Sequence, residues 1–219
     1  MKTLQKTVFT AALLLAGSGA MANDNLWFGA KAGTLGLGLE ARWEPIPWLD
    51  LRAGINRFDY EDDGAQAGIA YDATLELDSM YATANLKFPL SPMRLSLGAF
   101  NNDNQLVMAS RESSTFVVGG QTYTSAEVGQ LRGVMSFESP APYLGIGFDF
   151  ELIGRLGLNL DLGVLWQGEP GVALTSDGAL ANDPQFQQAL EQERQELEAE
   201  AEDYQAWPVI SLGLHFNFF

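Results

Sequence analysis

The last segment of the chain, residues 207–219, alternates between apolar residues and polar or small ones. The apolar positions are Ile210, Leu212, Leu214, Phe216 and Phe218, and the others are Ser211, Gly213, His215 and Asn217. A repeat of two residues predicts a β-strand with one apolar and one polar face. Strands of a membrane-spanning barrel carry this pattern, with the apolar face toward lipid and the polar face toward the lumen. The segment therefore predicts a membrane-spanning strand.

The same alternation recurs along the rest of the chain. It predicts further strands over residues 25–32, 35–43, 49–60, 69–88, 94–106, 131–150 and 155–167. About ten residues suffice for a tilted strand to cross a membrane. The sequence thus predicts an all-β fold, a closed antiparallel transmembrane β-barrel of about eight strands. A soluble β-sandwich or lipocalin-like barrel, with the apolar face inward, is the alternative.

Two points along the predicted strands are irregular. At Gly33-Thr34 a tight turn separates the first two strands, and one long strand with a bulge at the glycine is the alternative. The turn is favoured because two chain ends on one side of the membrane require an even number of strands. In the fourth strand the apolar residues change face near Asp78-Ser79, which predicts a bulge there.

The connections between the predicted strands have two lengths. Those at 44–48, 89–93 and 151–154 are short, and those at 61–68, 108–130 and 168–206 are long. Outer-membrane barrels have short periplasmic turns and longer extracellular loops. Both chain ends are therefore expected in the periplasm. Within the second long loop, Gly119-Gly120 predicts a small hairpin.

The last long loop contains a predicted acidic helix. Asn182 or Asp183 can cap its N-terminus, Pro184 suits the first helical position, and residues 185–204 are mostly strong helix formers. The acids of this loop surface include Glu191, Glu193, Glu196, Glu198, Glu200, Glu202 and Asp203. We interpret them as a solvated surface, with weak divalent-cation binding that ties the loop to lipopolysaccharide phosphates as the alternative. They run around the helix and contain no EF-hand pattern, so no metal site is predicted.

The first 22 residues have the composition of a secretory signal peptide. Lys2 and Lys6 flank the start of a short apolar run, and Ala20-Met21-Ala22 fits a cleavage site. The predicted organisation is a signal peptide at 1–22 and one outer-membrane barrel domain at 23–219, with no further domain. The sequence has no cysteine, which excludes disulfides and thiolate metal sites. Its net charge of −16 at pH 7 argues against nucleic acid as a partner.

Three segments resemble the small eight-stranded outer-membrane β-barrel proteins of Gram-negative bacteria. They are G-T-L-G-L-G-L-E at 33–40, A-P-Y-L-G-I-G at 141–147 and P-V-I-S-L-G-L-H-F-N-F at 208–218. The resemblance implies a monomer in the cell outer membrane, in contact with outer-membrane lipid and lipopolysaccharide. It also implies that the barrel-assembly machinery reads an insertion signal at Phe216, Phe218 and Phe219. Phe219 lies one residue beyond the usual end of that signal.

The inward face of the predicted strands is rich in ionisable residues. This set comprises Lys31, Glu40, Arg42, Asp50, Arg52, Lys87, Arg94, Asp149, Arg155, Asp161 and His215. An eight-stranded barrel is just wide enough for side chains to fill it, and an unpaired buried charge is costly, so these charges are expected to pair. The sequence therefore predicts a structural or surface-interaction protein whose lumen is plugged by paired charges. A narrow channel for small or apolar solutes is the alternative.

His215 is the only histidine in the sequence. A lipid-modifying barrel enzyme would need this histidine in contact with a serine, and Ser211 is the candidate on the same strand. Four residues along a strand separate two side chains by about 13 Å, too far for a hydrogen bond. The sequence therefore predicts no enzymatic activity and no cofactor. Lipid modification is a third, weaker hypothesis, because it requires a serine from another strand.

Overall fold

The structure, a computed structural model, describes residues 25–66, 69–111 and 115–217. Their strands are β1 (Leu26–Gly33), β2 (Gly36–Ile46), β3 (Leu49–Gln66), β4 (Ile69–Lys87), β5 (Met93–Asn102), β6 (Gln105–Ser110), β7 (Thr115–Val118), β8 (Gln121–Thr124), β9 (Leu131–Ser136), β10 (Ala141–Ile153), β11 (Leu156–Trp166), β12 (Gly171–Ser176) and β13 (Ala206–Asn217). Their helices are α1 (Ser125–Val128), α2 (Pro184–Glu200) and a 3-10 helix (Glu202–Gln205). In the described part of the chain, no helix has both the length and the apolar character needed to span a membrane.

Eight of these strands close into an antiparallel barrel. Their order around it is β1, β2, β3, β4, β5, β10, β11 and β13, and β13 pairs with β1 to complete the circle. Closure leaves no open edge within the barrel wall, because every wall strand has two hydrogen-bonded neighbours. The closed eight-stranded antiparallel barrel predicted from the alternation is confirmed.

The barrel wall is apolar outside and polar inside. On the outside, Leu97 and Leu212 are 64% and 53% exposed, and they belong to a band of exposed leucine, isoleucine and aromatic side chains. Inside, Asp50 and Arg94 are 0% and 1% exposed. A soluble lipocalin-like barrel has the reverse arrangement. The structure therefore excludes that alternative, and the outer face is suited to lipid.

A tight turn at Thr34-Leu35 separates β1 from β2, which confirms two strands instead of one. The turn lies one residue later than predicted. Gly36 follows it with a φ of 92°, a conformation that favours glycine. The Thr34 hydroxyl donates to the Pro208 carbonyl at 2.8 Å, which fixes the turn against β13. Leu35 is thereby turned into the lumen, where it is buried.

Strand β2 extends beyond its predicted end. The turn predicted at 44–48 is shorter in the structure, because β2 continues to Ile46 with an irregular register between Trp43 and Ile46. Pro45 fits at this irregularity, since a bulge does not require its missing N–H. The backbone N–H of Glu44 donates to the Asn25 carbonyl at 2.9 Å.

Strands β3 and β4 continue far beyond the barrel at the end that carries the long connections. The acidic segment predicted as a loop at 61–68 belongs to β3 as far as Gln66. The predicted bulge near Asp78-Ser79 is wrong, because β4 pairs with β3 in one register from Leu86↔Leu49 to Ile69↔Gln66. The apolar residues change face for another reason: β4 leaves the barrel, and the inner face of its extension no longer meets a charged lumen.

The long connections fold into a second unit, here called the loop module: the hairpin β7–β8, α1, α2 and the sheet β6-β9-β12 beside the upper part of β4. Its buried core consists of Phe116, Val118, Val128, Phe186, Ala189 and Leu190. The hairpin predicted at Gly119-Gly120 is confirmed. Helix α2 ends at Glu200 and a 3-10 helix follows, so the α-helix is shorter than predicted.

The predicted start of the acidic helix is confirmed. Pro184 is its first residue, and the Asp183 carboxylate accepts the backbone N–H groups of Gln185 and Phe186 at 2.9 and 3.1 Å. Three other predicted features lie outside the described residues: the signal peptide at 1–22, and Phe218 and Phe219 of the insertion signal. Phe216 lies on the outer face of β13, near its end.

Candidate functional site in the barrel lumen and the loop module

Ten charged side chains meet inside the half of the barrel that carries the short turns, and seven of the eight wall strands contribute to them. The bases are Lys31, Arg42, Arg52, Lys87 and Arg94, and the acids are Glu40, Glu44, Asp50, Asp149 and Asp161. Five bases balance five acids, so this layer is formally neutral in a chain whose net charge is −16. Buried charges are stable only when they are paired in this way.

Three of the five bases converge on Asp149 of β10. Its Oδ2 lies 2.7 Å from Arg52 Nη2 and 3.1 Å from Arg94 Nε, and Arg42 Nη1 is 3.9 Å away. Arg94 comes from the neighbouring strand β5, whereas Arg52 and Arg42 come from β3 and β2, so the contacts of these two arginines cross the lumen. One carboxylate therefore links strands that are not neighbours in the wall.

Arg52 is held by a second set of acids. Its Nε and Nη2 donate to the two carboxylate oxygens of Asp50, both at 3.0 Å, which is the bidentate geometry that a guanidinium favours. Its Nη1 lies 3.4 Å from Glu40 Oε1. The other oxygen of Glu40 accepts the Tyr81 hydroxyl at 2.6 Å, and Lys31 Nζ is 3.7 Å from it.

Arg94 is held by neutral side chains as well as acids. Its Nη1 donates to Asn85 Oδ1 at 3.0 Å and to Ser96 Oγ at 2.6 Å, and its Nη2 pairs with Asp161. Asp161 Oδ2 in turn accepts the Ser211 hydroxyl at 3.3 Å. These neutral partners share the inward parity of the charged residues, so the alternation of the sequence contained the signal for them.

The structure brings together the predicted inward charges except Arg155. That residue lies exposed in the turn between β10 and β11, because β10 extends to Ile153 and leaves only two residues for the turn. Sequence reasoning missed Glu44, which had been assigned to a turn. Glu44 pairs with Arg42 and, at 2.9 Å, with Lys87.

His215 and Ser211 have separate partners. His215 Nε2 lies 3.2 Å from Arg42 Nη1, and its ring meets Trp27 edge-on with centroids 5.9 Å apart. Ser211 donates to Asp161 instead. The structure therefore places both side chains in the charged layer and does not pair them as a serine–histidine couple.

A cluster of buried aromatic and aliphatic side chains lies in the lumen beyond the charges, toward the loop module. Phe100 stacks on Tyr81 with ring centroids 4.9 Å apart and meets Tyr143 at 5.3 Å. Leu35, Ala141, Leu165 and Val209 complete this buried cluster. Small residues make room for the rings: a Cβ placed on Gly54 would lie 2.5 Å from the Tyr81 hydroxyl oxygen.

Two cavities border the charged layer. The one between the charges and the aromatic layer has a volume of about 20 Å³, about enough for one water molecule. The other opens at the short-turn end and has a volume of about 520 Å³. Its lining includes Trp27, Arg42, Lys87, Asp149 and His215. The larger cavity thus lies at the short-turn end, and the smaller one lies further in.

Two of the predicted surface acids tie α2 to the rest of the loop module. Glu193 accepts the backbone N–H of Gly119 at 2.9 Å, and Glu198 accepts that of Val172 at 3.0 Å. The bond from Val172 holds the pKa of Glu198 below its usual value. Hydrogen bonds from Arg194 and Gln195 lower the pKa of Glu191 to about 2.

The remaining predicted acids of this surface are exposed: Glu196, Glu200, Glu202 and Asp203. Within residues 25–66, 69–111 and 115–217, the side chains of histidine, aspartate and glutamate form no group of three or more that could hold a metal ion.

Two solved structures from Acinetobacter baumannii are similar to this chain. CarO2 is 22% identical with a TM-score of 0.59, and the match covers 88% of this chain and 98% of CarO2. CarO is 25% identical with a TM-score of 0.57, and the match covers 89% of this chain and 97% of CarO. Neisserial surface protein A also matches, at 13% identity and a TM-score of 0.35, over 88% of this chain and 93% of that protein.

No protein-family model matches the sequence, and a search of curated proteins finds no match. The two Acinetobacter likenesses extend over nearly the whole length of those proteins and agree with the closed barrel described above. The chain therefore has the fold of the small eight-stranded outer-membrane barrels of Gram-negative bacteria, with an acidic helix in its last long connection.

Proposed function

We propose that this protein is a non-conducting barrel of the Gram-negative outer membrane that holds the loop module at the cell surface. The apolar outer wall supports residence in a membrane, since an exposed apolar band of this extent is unsuited to water. The likeness to CarO and CarO2 supports the same location. The loop module is folded and lies outside the barrel, where it is accessible to other molecules. The proposed role is therefore structural or one of surface interaction.

The observation that carries the proposal is the filling of the lumen. A neutral layer of five bases and five acids is followed by a layer of packed rings, and the cavity between them holds about 20 Å³. A hydrated ion needs a continuous water-filled path, and this volume accommodates about one water molecule. We therefore propose that paired charges and aromatic rings plug the barrel.

The proposed orientation places the loop module outside the cell. The short turns at 47–48, 89–92 and 154–155 lie at the same end as the first residue of β1 and the last residue of β13. Short turns are periplasmic in barrels of this type. The proposed partners are outer-membrane lipid and lipopolysaccharide around a monomer, and the barrel-assembly machinery during insertion.

A narrow channel for small or apolar solutes is the second candidate, and the cavity at the short-turn end favours it. This vestibule of about 520 Å³ reaches inward as far as Arg42 and Asp149. A modest shift of these side chains would be needed to extend it through the charged layer. The same experiment separates the two functions.

That experiment is conductance of the purified protein in planar lipid bilayers. The wild-type protein is expected to give no steady current. Replacing a cross-lumen pair and a ring together, as in R94A/D161A/Y143A, removes material from both layers and is expected to create measurable openings. R155A, in an exposed turn, is the control and stays silent. Stable nanosiemens openings from the wild-type protein would overturn the plug and favour the channel.

A further inference from the structure

The upper part of β3 forms an open sheet edge. Strand β2 pairs with β3 only as far as Leu37↔Arg57, whereas β3 continues to Gln66 and pairs there with β4 alone. In the part of the chain that the structure describes, no strand pairs with the other side of residues 58–66. The open edge is nine residues long, about 30 Å at the usual rise.

The direction of the backbone groups along this edge follows from the neighbouring ladder. The N–H of Asp103 donates to the Asp78 carbonyl at 2.9 Å, so the backbone N–H and C=O groups of Asp78 point away from β3. The backbone N–H and C=O groups of successive residues in a strand point to opposite sides. Those of Leu77 and of its partner Phe58 therefore point toward each other. Asp59, Glu61 and Asp63 consequently direct their N–H and C=O groups outward, away from β4.

One hydrogen bond supports this assignment. The N–H of Asp63 is bonded at 3.0 Å to the carboxylate of its own neighbour, Asp62, which shows that the ladder does not use it. The outward groups of Asp59 and Glu61 have no partner among residues 25–66, 69–111 and 115–217. They form a short template for another strand.

The opposite edge of the same sheet is covered by a helix. Strand β12 is the last strand on that side, and α2 packs against it. The Glu198 carboxylate accepts the outward N–H of Val172 at 3.0 Å. The fold therefore covers one edge with a helix and leaves the β3 edge open.

The side chains of the open edge select the chemistry of a partner. Asp59, Glu61, Asp62 and Asp63 are all exposed, and Tyr60 beside them is 52% exposed. A second copy paired edge to edge would place acids opposite acids, which destabilises a β-pair. An extended segment with lysine or arginine at alternate positions would place bases opposite Asp59 and Glu61, whereas the carboxylate of Asp63 already lies 3.8 Å from Arg111 Nη1.

We propose that the β3 edge at residues 58–63 binds an extended cationic peptide segment as an additional β-strand. Main-chain hydrogen bonds to Asp59 and Glu61 supply the geometry, and the alternating acids supply the charge preference. The strongly negative chain steers such a segment toward the edge. Only the compartment of the partner rests on the orientation proposed above; binding itself does not depend on it or on the state of the lumen.

The test uses the full-length protein in zwitterionic detergent micelles and a labelled ten-residue peptide of alternating valine and lysine. Binding is followed by fluorescence anisotropy. A peptide of the same sequence with alternate backbone amides N-methylated keeps its charge but loses hydrogen-bond donors, and it should bind about tenfold more weakly. A valine–glutamate peptide should not bind. Equal affinity of the methylated and unmethylated peptides would overturn strand addition and leave only charge attraction.

A substitution in β3 tests whether the peptide binds at this strand. E61P removes the Glu61 charge and an outward N–H without removing a β3–β4 ladder bond, so it should bind about tenfold more weakly than E61Q, which loses the charge alone. E200Q, an exposed acid of α2, is the control for general charge and should leave affinity unchanged. The wild-type protein gives an independent readout: peptide should slow hydrogen exchange at the Asp59 and Glu61 amides. Binding without that protection would contradict the proposal, even if E61P failed to fold.

Discussion

Arg52 on β3 and Asp149 on β10 are joined across the lumen, with Arg52 Nη2 donating to Asp149 Oδ2 at 2.7 Å. Two wall strands, β4 and β5, lie between their strands on the shorter way around the barrel. The pair therefore acts as a brace across the interior, in addition to the ladder bonds between neighbouring strands. The same oxygen accepts Arg94 Nε at 3.1 Å, so one carboxylate fixes two guanidinium groups.

Replacing Asp149 by alanine should destabilise the barrel strongly. The substitution leaves Arg52 and Arg94 with less compensating charge in a buried site, and breaking a buried pair costs about 3–5 kcal/mol. The measurement is urea unfolding in detergent micelles, followed by tryptophan fluorescence. E151A is the matched control because Glu151 is an exposed acid on the same strand. Equal unfolding midpoints for D149A and E151A would contradict the cross-lumen brace.

Replacing Gly54 by alanine should displace the Tyr81 ring. A Cβ at Gly54 would lie 2.5 Å from the Tyr81 hydroxyl oxygen, and 2.6 Å from both its Cε1 and the Leu39 carbonyl oxygen, so the ring and the β2 backbone must shift, which disturbs the bond from Tyr81 to Glu40. Overpacking of this kind costs about 1–3 kcal/mol. The free energy of unfolding is measured as for the previous variant. G171A is the control, since nothing lies within 4 Å of a Cβ at that position, and it should unfold like the wild type.

Replacing Phe186 by alanine should loosen the loop module while the barrel stays folded. Phe186 is fully buried in the module core and meets Tyr123 edge-on with centroids 5.0 Å apart. Truncating such a residue costs about 3–5 kcal/mol. Limited proteolysis should cut the long connections faster, whereas the heat-dependent gel shift of the barrel should be retained. Y204A, at an exposed position, is the control and should resist protease like the wild type. Loss of the gel shift in F186A would contradict the prediction, because it would show that the loop module and the barrel unfold together.

Acid should weaken the attachment of α2 to β12. The Val172 N–H that donates to Glu198 keeps the pKa of this carboxyl below its usual 4.5. A lowered folded pKa means that the stabilisation is present above 4.5 and is lost as the pH falls through the folded value. Pepsin digestion across this range should therefore cut the loop module increasingly at lower pH. E198Q keeps an acceptor but cannot titrate, so its cleavage should depend less on pH; a profile identical to that of the wild type would remove Glu198 as the cause.

The alternation of the sequence by itself determined the wall of this protein. A period of two, repeated eight times, assigns one face of each strand to an apolar exterior and the other to a charged interior, and closure follows because open edges are costly in lipid. It also placed Lys31, Arg52 and Asp149 on the inward face. These are local properties, since the direction of a side chain depends only on its position along its own strand.

The tertiary structure decided the contacts that join distant strands. Parity assigns Arg52 and Asp149 to the lumen but not to each other, because their relative height depends on the register of four strands. The position of Glu44 also depends on tertiary structure, because a bulge in β2 places this side chain in the charged layer. Leu77 is apolar and points inward because β4 extends beyond the barrel at this residue. The open edge of β3 likewise exists only because β2 ends earlier. Register and strand length are set by the whole barrel, and no single segment of the sequence contains them.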